Sequence, residues 1–210
     1  MKIVVLAYSP LFAELLSRNV PRGWELIRPG SLQEMEGHKD ASLYMDLDFT
    51  PDPERIEALA RLLPAPVMIN AVVHTLGDIG RPFIRINAWP GFLERSIHEL
   101  VIPDSGTETL IRQLYDALGW AYCKAPDIPG MISARILATI VNEAYFTLQD
   151  EVSTKEEIDT AMRLGTNYPL GPFEWSEKIG LKNINDLLSV LQQIDDRYAV
   201  SAALKKAAGA

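Results

Sequence analysis

Two successive patterns predict an α/β domain with a parallel sheet over residues 1–126, followed by an all-α domain over residues 127–210. In the first part, short apolar and β-branched runs alternate with helical periods; after Pro129 the strand-like runs stop. The run over residues 3–7 is apolar throughout and lacks the in–out alternation of a half-solvated strand. It fits a sheet buried on both faces, and strands alternating with helices are the way parallel sheets are built.

Residues 3–7 read as the first strand and 11–18 as a short helix. Strands are expected over 24–27, 43–47 and 67–73. A helix lies over 52–63, because Ile56, Leu59, Ala60 and Leu63 share one stripe. Two more strands cover 83–86 and 97–101. Residues 107–118 form an amphipathic helix, and Gly119 suits the left-handed position that ends it. The next strand, 120–123, contains Cys123 and makes it buried filler.

Residues 130–148 then carry a wide apolar stripe, the mark of a helix packed on several neighbours. Thr154 and Glu157 are spaced as a capping box opening a helix that stops at Gly165. Residues 168–174 make a rigid turn whose Pro172 suits a first helical turn. Helices near 173–179, 183–194 and 201–207 complete the domain, and Asp127-Ile128 is the expected hinge.

Composition bounds the function. Apolar residues make up 48% and charged residues 23%, as in a folded globular chain. A net charge of −8 argues against nucleic acid as a partner, which needs clustered Lys and Arg. No run of eighteen apolar residues is present, so no membrane span is expected, and the first apolar run is too short for a secretory signal. One cysteine excludes an internal disulfide and a multi-Cys metal site, and no metal is expected. The expected setting is the cytoplasm.

Pro129-Gly130-Met131-Ile132-Ser133-Ala134-Arg135 resembles the P-G-F-x-x-N-R pattern of the 3-hydroxyacyl-CoA dehydrogenase family, with Ala134 at the Asn position. Asn142-Glu143-Ala144, Ile158-Asp159, Leu164-Gly165, Gly171-Pro172-Phe173-Glu174 and Arg197-Tyr198 follow in that family's order, and the resemblance covers residues 107–207. It implies a Rossmann-like N-terminal domain and a C-terminal domain of the 3-hydroxyacyl-CoA dehydrogenase type. It also implies a homodimer formed through the helical domain, an acyl-CoA ligand, and a place in fatty acid metabolism.

The family's chemistry is hydride transfer to NAD, with a His base oriented by a Glu and with Ser and Asn on the substrate oxygen. This chain departs from that pattern. A dinucleotide fold needs a glycine-rich turn after its first strand; here Ala7, Tyr8, Ser9, Pro10, Leu11 and Phe12 contain no glycine. The second strand ends in Arg28 where an acid would hold the ribose. No cofactor is therefore expected, and NAD only if the degenerate turn with Ala7, Ser9 and Phe12 still binds it.

Asn70 takes the Ser position. One register puts Asn87 at the His position and Glu99 at the Glu position; the other gives Ile86 and His98. Two readings follow. One is a homologue without efficient NAD-dependent activity that binds acyl-CoA or a protein partner as a dimer. The alternative is an active oxidoreductase rebuilt from Asn70, His74, Asn87, His98 and Glu99, whereas His38 reads as solvated surface.

Overall fold

β1 (Lys2–Leu6) carries three side chains with no solvent exposure, Ile3, Val4 and Val5, so both of its faces are covered as its unbroken apolar run requires. The computed structural model describes residues 1–209. After β1 come α1 (Ser9–Leu16), β2 (Glu25–Ile27), α2 (Leu32–Gly37), β3 (Leu43–Asp46), α3 (Pro53–Ala60), β4 (Val67–Ile69) and α4 (Leu76–Ile79). Then follow β5 (Ile84–Ile86), β6 (Ile97–Val101), α5 (Ser105–Leu118) and β7 (Ala121–Lys124). These elements form the first of two compact units, Met1–Met131.

The seven strands make one sheet in the order β2-β1-β3-β4-β5-β6-β7. One cluster of buried side chains, with Leu11, Leu15, Ile111, Leu114 and Tyr115, covers one face of the sheet. A second, with Met35, Leu59, Leu62 and Ile79, covers the other face of β1, β3 and β4.

The sheet is not parallel throughout. β1 to β5 pair in parallel, β6 runs antiparallel to β5, and β7 is parallel to β6. Residues 87–96 join β5 to β6 without a helix, and a parallel return needs a crossover of a dozen or more residues, usually helical.

α2 and α4 were not expected from the sequence. They are six and four residues long, too short to display a period. Each nevertheless opens on a capping residue, Ser31 or Thr75, whose side chain accepts the amide three residues on. The Ser31-x-x-Glu34 spacing was a legible start signal, and Glu34 also accepts from Gly30 N at 2.6 Å.

Cys123 is exposed, not buried. β7 closes the sheet at one edge, and its Tyr122 packs on the core while Cys123, next in the strand, points to the opposite side.

The second unit begins at Ile132, five residues beyond the expected boundary at 126/127. The reason is local. Asp127, placed at the expected hinge, accepts from Arg85 and from Leu76 N, and Gly130 N donates to Val72 O at 2.8 Å. α6 (Ser133–Gln149) likewise starts three residues later than expected. Gly130 and Met131 adopt φ of 78° and 48°, a left-handed turn outside any helix.

α7 (Lys155–Thr166), α8 (Pro172–Ile179), α9 (Leu181–Ile194), a 3-10 turn at Asp196–Tyr198 and α10 (Ala202–Ala208) complete this unit. α7 opens on the Thr154–Glu157 capping box. It passes Gly165 and stops at Asn167, whose φ of 56° is tolerated by a short polar side chain.

The sequence motifs of this unit form hydrogen-bonded joints. Asp159, in α7, accepts from Phe173 N at 2.8 Å and from Glu174 N at 3.2 Å, capping α8 from outside. Glu174 accepts from Gly171 N at 2.7 Å and pairs with Arg163. Gly171 is required for space: a Cβ there would lie 2.3 Å from the Asp159 carboxylate. Asn142 donates to Ala199 O and accepts from Ser201 N, fixing α6 to the start of α10. Arg135 lies over the ring of Tyr198.

Candidate functional site at the carboxyl edge of the sheet

Strand order reverses at β1, with β2 on one side of it and β3 on the other. In open α/β sheets, ligands bind outside the carboxyl ends of the strands at such a switch point. A cavity of about 440 Å³ lies there, lined by Leu6, Ala7, Tyr8, Arg28, Pro29, Gly30 and Asp48.

Its polar groups are already engaged with one another. Tyr8 N, the first amide of the turn, donates to the Asp48 carboxylate at 3.0 Å. Pro10, in the first turn of α1, has no N–H to offer. Arg28 donates from Nε to Ala7 O at 3.0 Å and from Nη2 to Ser9 Oγ at 3.2 Å, and its guanidinium lies 5.3 Å from the Phe12 ring. A carboxylate and a side-chain clamp thus occupy the turn that, in a dinucleotide fold, presents bare amides to a pyrophosphate.

Asn70 and Asn87 stand just beyond β4 and β5. Asn70 is a cross-brace. Its Nδ2 donates to Leu47 O at 3.2 Å and Ala88 O at 3.3 Å, and its Oδ1 accepts from Ala88 N at 3.1 Å. The same side chain therefore ties the ends of β3 and β5 together across β4.

Asn87 is 2% exposed. Its Oδ1 accepts from Trp89 N at 3.4 Å, and its Nδ2 has no hydrogen-bond partner. Asn87 N donates to Glu99 O at 3.2 Å, which makes Asn87 and Glu99 opposite neighbours on β5 and β6. Ile86 and Ala88 point into the core, so Asn87 faces away from it, and Glu99 shares that face. Glu99 is in turn paired in register with Cys123 of β7.

His98 points the other way. It is 1% exposed, within 6 Å of the rings of Tyr115 and Trp120. Nδ1 lies 3.1 Å from Tyr115 Oη and Nε2 lies 3.0 Å from Leu93 O. Only a donor can meet a carbonyl, so Nε2 carries the proton and Nδ1 accepts from the tyrosine. Burial pushes its pKa down to about 4, against a smaller opposing effect of the Leu93 carbonyl. The expected candidates therefore divide: Asn87 and Glu99 come together, Ile86 is core, and His98 is sealed in an aromatic box on the opposite face. His74 is half-buried in the turn before α4, His38 caps the end of α2, and Ala134 is fully buried in the first turn of α6.

Arg85 was not singled out in the sequence, where it reads as one charge in a three-residue strand. Its side chain has no solvent exposure. It donates to Ala71 O at 2.8 Å, Val72 O at 3.2 Å and Ile128 O at 3.2 Å, and pairs with Asp127 at 2.5 Å. A guanidinium's five donors let one buried side chain hold two loop segments. A charged residue inside an otherwise apolar strand was the available signal.

Residues 130–209 match the model of the 3-hydroxyacyl-CoA dehydrogenase C-terminal domain. Residues 130–209 are thus a domain of the 3-hydroxyacyl-CoA dehydrogenase family.

The chain is 37% identical over 132 residues to 3-hydroxyadipyl-CoA dehydrogenase of Escherichia coli (strain K12), covering 62% of this chain and 28% of that protein. It is 35% identical over 102 residues to a probable 3-hydroxybutyryl-CoA dehydrogenase of Deinococcus radiodurans, covering 48% of this chain and 37% of that protein. The chain thus spans about a third of the length of these curated relatives. Among solved structures, (S)-3-hydroxybutyryl-CoA dehydrogenase from Ralstonia eutropha superposes with a TM-score of 0.74 over 99% of this chain and 94% of that one, at 17% identity. That likeness establishes the fold. No helix among the described residues is long and apolar enough to cross a membrane.

Proposed function

We propose that the protein binds an acyl-CoA as a homodimer and does not perform NAD-dependent hydride transfer at an enzymatic rate. The observation that carries this reading is the lack of a usable base where the family's chemistry needs one. Asn87 stands beside Glu99 and takes no proton near neutral pH, while His98 has both ring nitrogens engaged inside the core. General acid–base catalysis contributes about 10²–10⁴-fold, so its loss alone leaves a slow enzyme.

The turn after β1 supports the same reading. The Asp48 carboxylate at Tyr8 N and the Arg28 clamp do not fit a pyrophosphate, which would have to displace both. The acyl-CoA class is carried over from relatives named for 3-hydroxyadipyl-CoA and 3-hydroxybutyryl-CoA. Dimerisation through the helical unit is carried over from the family resemblance, and Leu164, Val152 and Ile194 are exposed apolar side chains there. A single unpaired thiol suits a reducing cytoplasm.

Purified protein should oxidise NADH with acetoacetyl-CoA at least 100-fold more slowly than an ordinary family member, and should bind CoA thioesters in calorimetry. Turnover at tens per second would refute the reading. The cross-strand Asn87–Glu99 pair favours one rival, an enzyme with a rebuilt site, and that same rate measurement decides between them.

A further inference from the structure

The cavity at the strand-order reversal is lined by one cation and one carboxylate, Arg28 and Asp48, with Leu6, Ala7 and Pro29 buried beside them. The two charged groups do not pair with each other. They are held on opposite edges of a single peptide group. Arg28 Nε donates to Ala7 O at 3.0 Å, and Asp48 Oδ1 accepts from Tyr8 N at 3.0 Å. Ala7 O and Tyr8 N belong to one trans peptide, so they point in opposite directions. Laid end to end across that amide, the two bonds place guanidinium and carboxylate about 8 Å apart.

Both groups keep capacity in reserve. Arg28 uses Nε and Nη2, the latter on Ser9 Oγ at 3.2 Å, which leaves Nη1. Asp48 uses Oδ1, which leaves Oδ2. The neighbouring carboxylate, Asp46, is by contrast spent on Arg55 through two bonds of 2.6 and 2.7 Å.

We propose that this cavity binds a free α-amino acid with an apolar side chain. Its carboxylate accepts from Arg28 Nη1, its ammonium donates to Asp48 Oδ2, and its side chain lies against Leu6, Ala7 and Pro29. The ammonium nitrogen and carboxylate oxygens of an amino acid are about 3 Å apart, and two ordinary hydrogen bonds complete the span between the protein's charges. A pyrophosphate meets Asp48 as a like charge, and a simple amine leaves Arg28 unanswered; only a zwitterion suits both groups. The volume of about 440 Å³ lies toward the small end of ligand pockets. This ligand is distinct from the acyl-CoA, and neither reading depends on the other.

NMR titration of the full chain with L-alanine, L-valine and L-leucine, followed at the backbone amides of Tyr8 and Ser9, tests the proposal. Leucine should shift both amides saturably. N-acetyl-L-leucine lacks the ammonium and L-leucinamide lacks the carboxylate, so each should bind about tenfold more weakly or worse. Asp48→Asn keeps an acceptor for Tyr8 N and loses the charge; N-acetyl-leucine should bind it as tightly as leucine does. Arg28→Gln should do the same for leucinamide, and either variant alone decides. No saturable shift with any of the three amino acids would overturn the proposal. So would equal wild-type affinity for leucine and its two derivatives, or a preference over N-acetyl-leucine that survives in Asp48→Asn. A shift of the Tyr8 amide by NADH in place of leucine would also overturn it and return the turn to a nucleotide. None of these outcomes involves a CoA thioester, so the acyl-CoA reading is tested apart from them.

Discussion

The helical unit and the carboxyl edge of the sheet treat their family-like positions in opposite ways. In the helical unit, Asp159, Gly171, Glu174 and Asn142 stand in the family's sequence order, and each takes part in a joint between helices. At the sheet edge the polar side chains are bound to their own backbone or left unsatisfied. The helical motif is therefore explained by packing alone, and its presence argues for the scaffold. Only the sheet edge bears on chemistry. A family signature confined to the first kind of position identifies ancestry without assigning a reaction.

The comparison breaks most readily at Gly171. Its φ of −73° is ordinary, so the requirement for glycine is spatial: an added Cβ would sit 2.3–2.4 Å from Asp159 Oδ1, Cβ and Cγ. Asp159 would have to move, abandoning the amides of Phe173 and Glu174. Gly171→Ala should lower stability by about 3 kcal/mol, combining overpacking with a lost cap. Urea unfolding reads this directly. A loss below about 1 kcal/mol would mean the motif is not a structural joint and would reopen a functional role for it.

What the sequence disclosed follows the same division. Strands such as β1 and β6, and helices such as α5 and α9, show themselves through unbroken apolar runs or long periods. Caps such as Gly119 and Thr154 were legible because their chemistry is local. The antiparallel turn-back at β6 was hidden because it depends on the loop between strands, not on either strand. Residue positions at the site were found, but their directions were not. His98 and Glu99 are adjacent in sequence and face opposite ways, and only the pairing of Asn87 with Glu99 shows which of them shares its face. The charge of Arg85 was legible but its role was not, because its partners Asp127 and Ile128 lie more than forty residues away.

A smaller effect comes from His98 and tests whether it belongs to the core or to the site. Its pKa in the folded protein is about 4, against 6.5 in an ordinary environment. Between those values the unfolded chain binds a proton that the folded one does not, so stability rises with pH across that window and falls as the pH drops. The contribution is about 3 kcal/mol at most, present in full above pH 6.5. Urea midpoints at pH 4.5 and pH 7 should differ more for wild type than for His98→Leu. Equal differences would mean that the ring titrates normally and is accessible, which would return it to the list of candidate bases.

The smallest effect sharpens the comparison at the sheet edge itself. Asn70, expected from the sequence at an oxygen-binding position, has an amide that joins Leu47 to Ala88 through three hydrogen bonds. As a cross-brace, Asn70→Ala should cost about 1–2 kcal/mol of stability, because two carbonyls and one N–H lose a partner. Its affinity for acetoacetyl-CoA should fall no further than its affinity for free CoA. As an oxygen ligand, Asn70 would give the reverse: little change in the urea midpoint and a selective loss for the acetoacetyl compound. The brace reading also predicts rescue. Asn70→Asp keeps an acceptor for Ala88 N but presents a carboxylate to two carbonyls, so it should be no better than alanine at neutral pH and should recover as the carboxyl is protonated in acid. A variant that folds as well as wild type at every pH would remove Asn70 from the scaffold and return it to the candidates for oxygen binding.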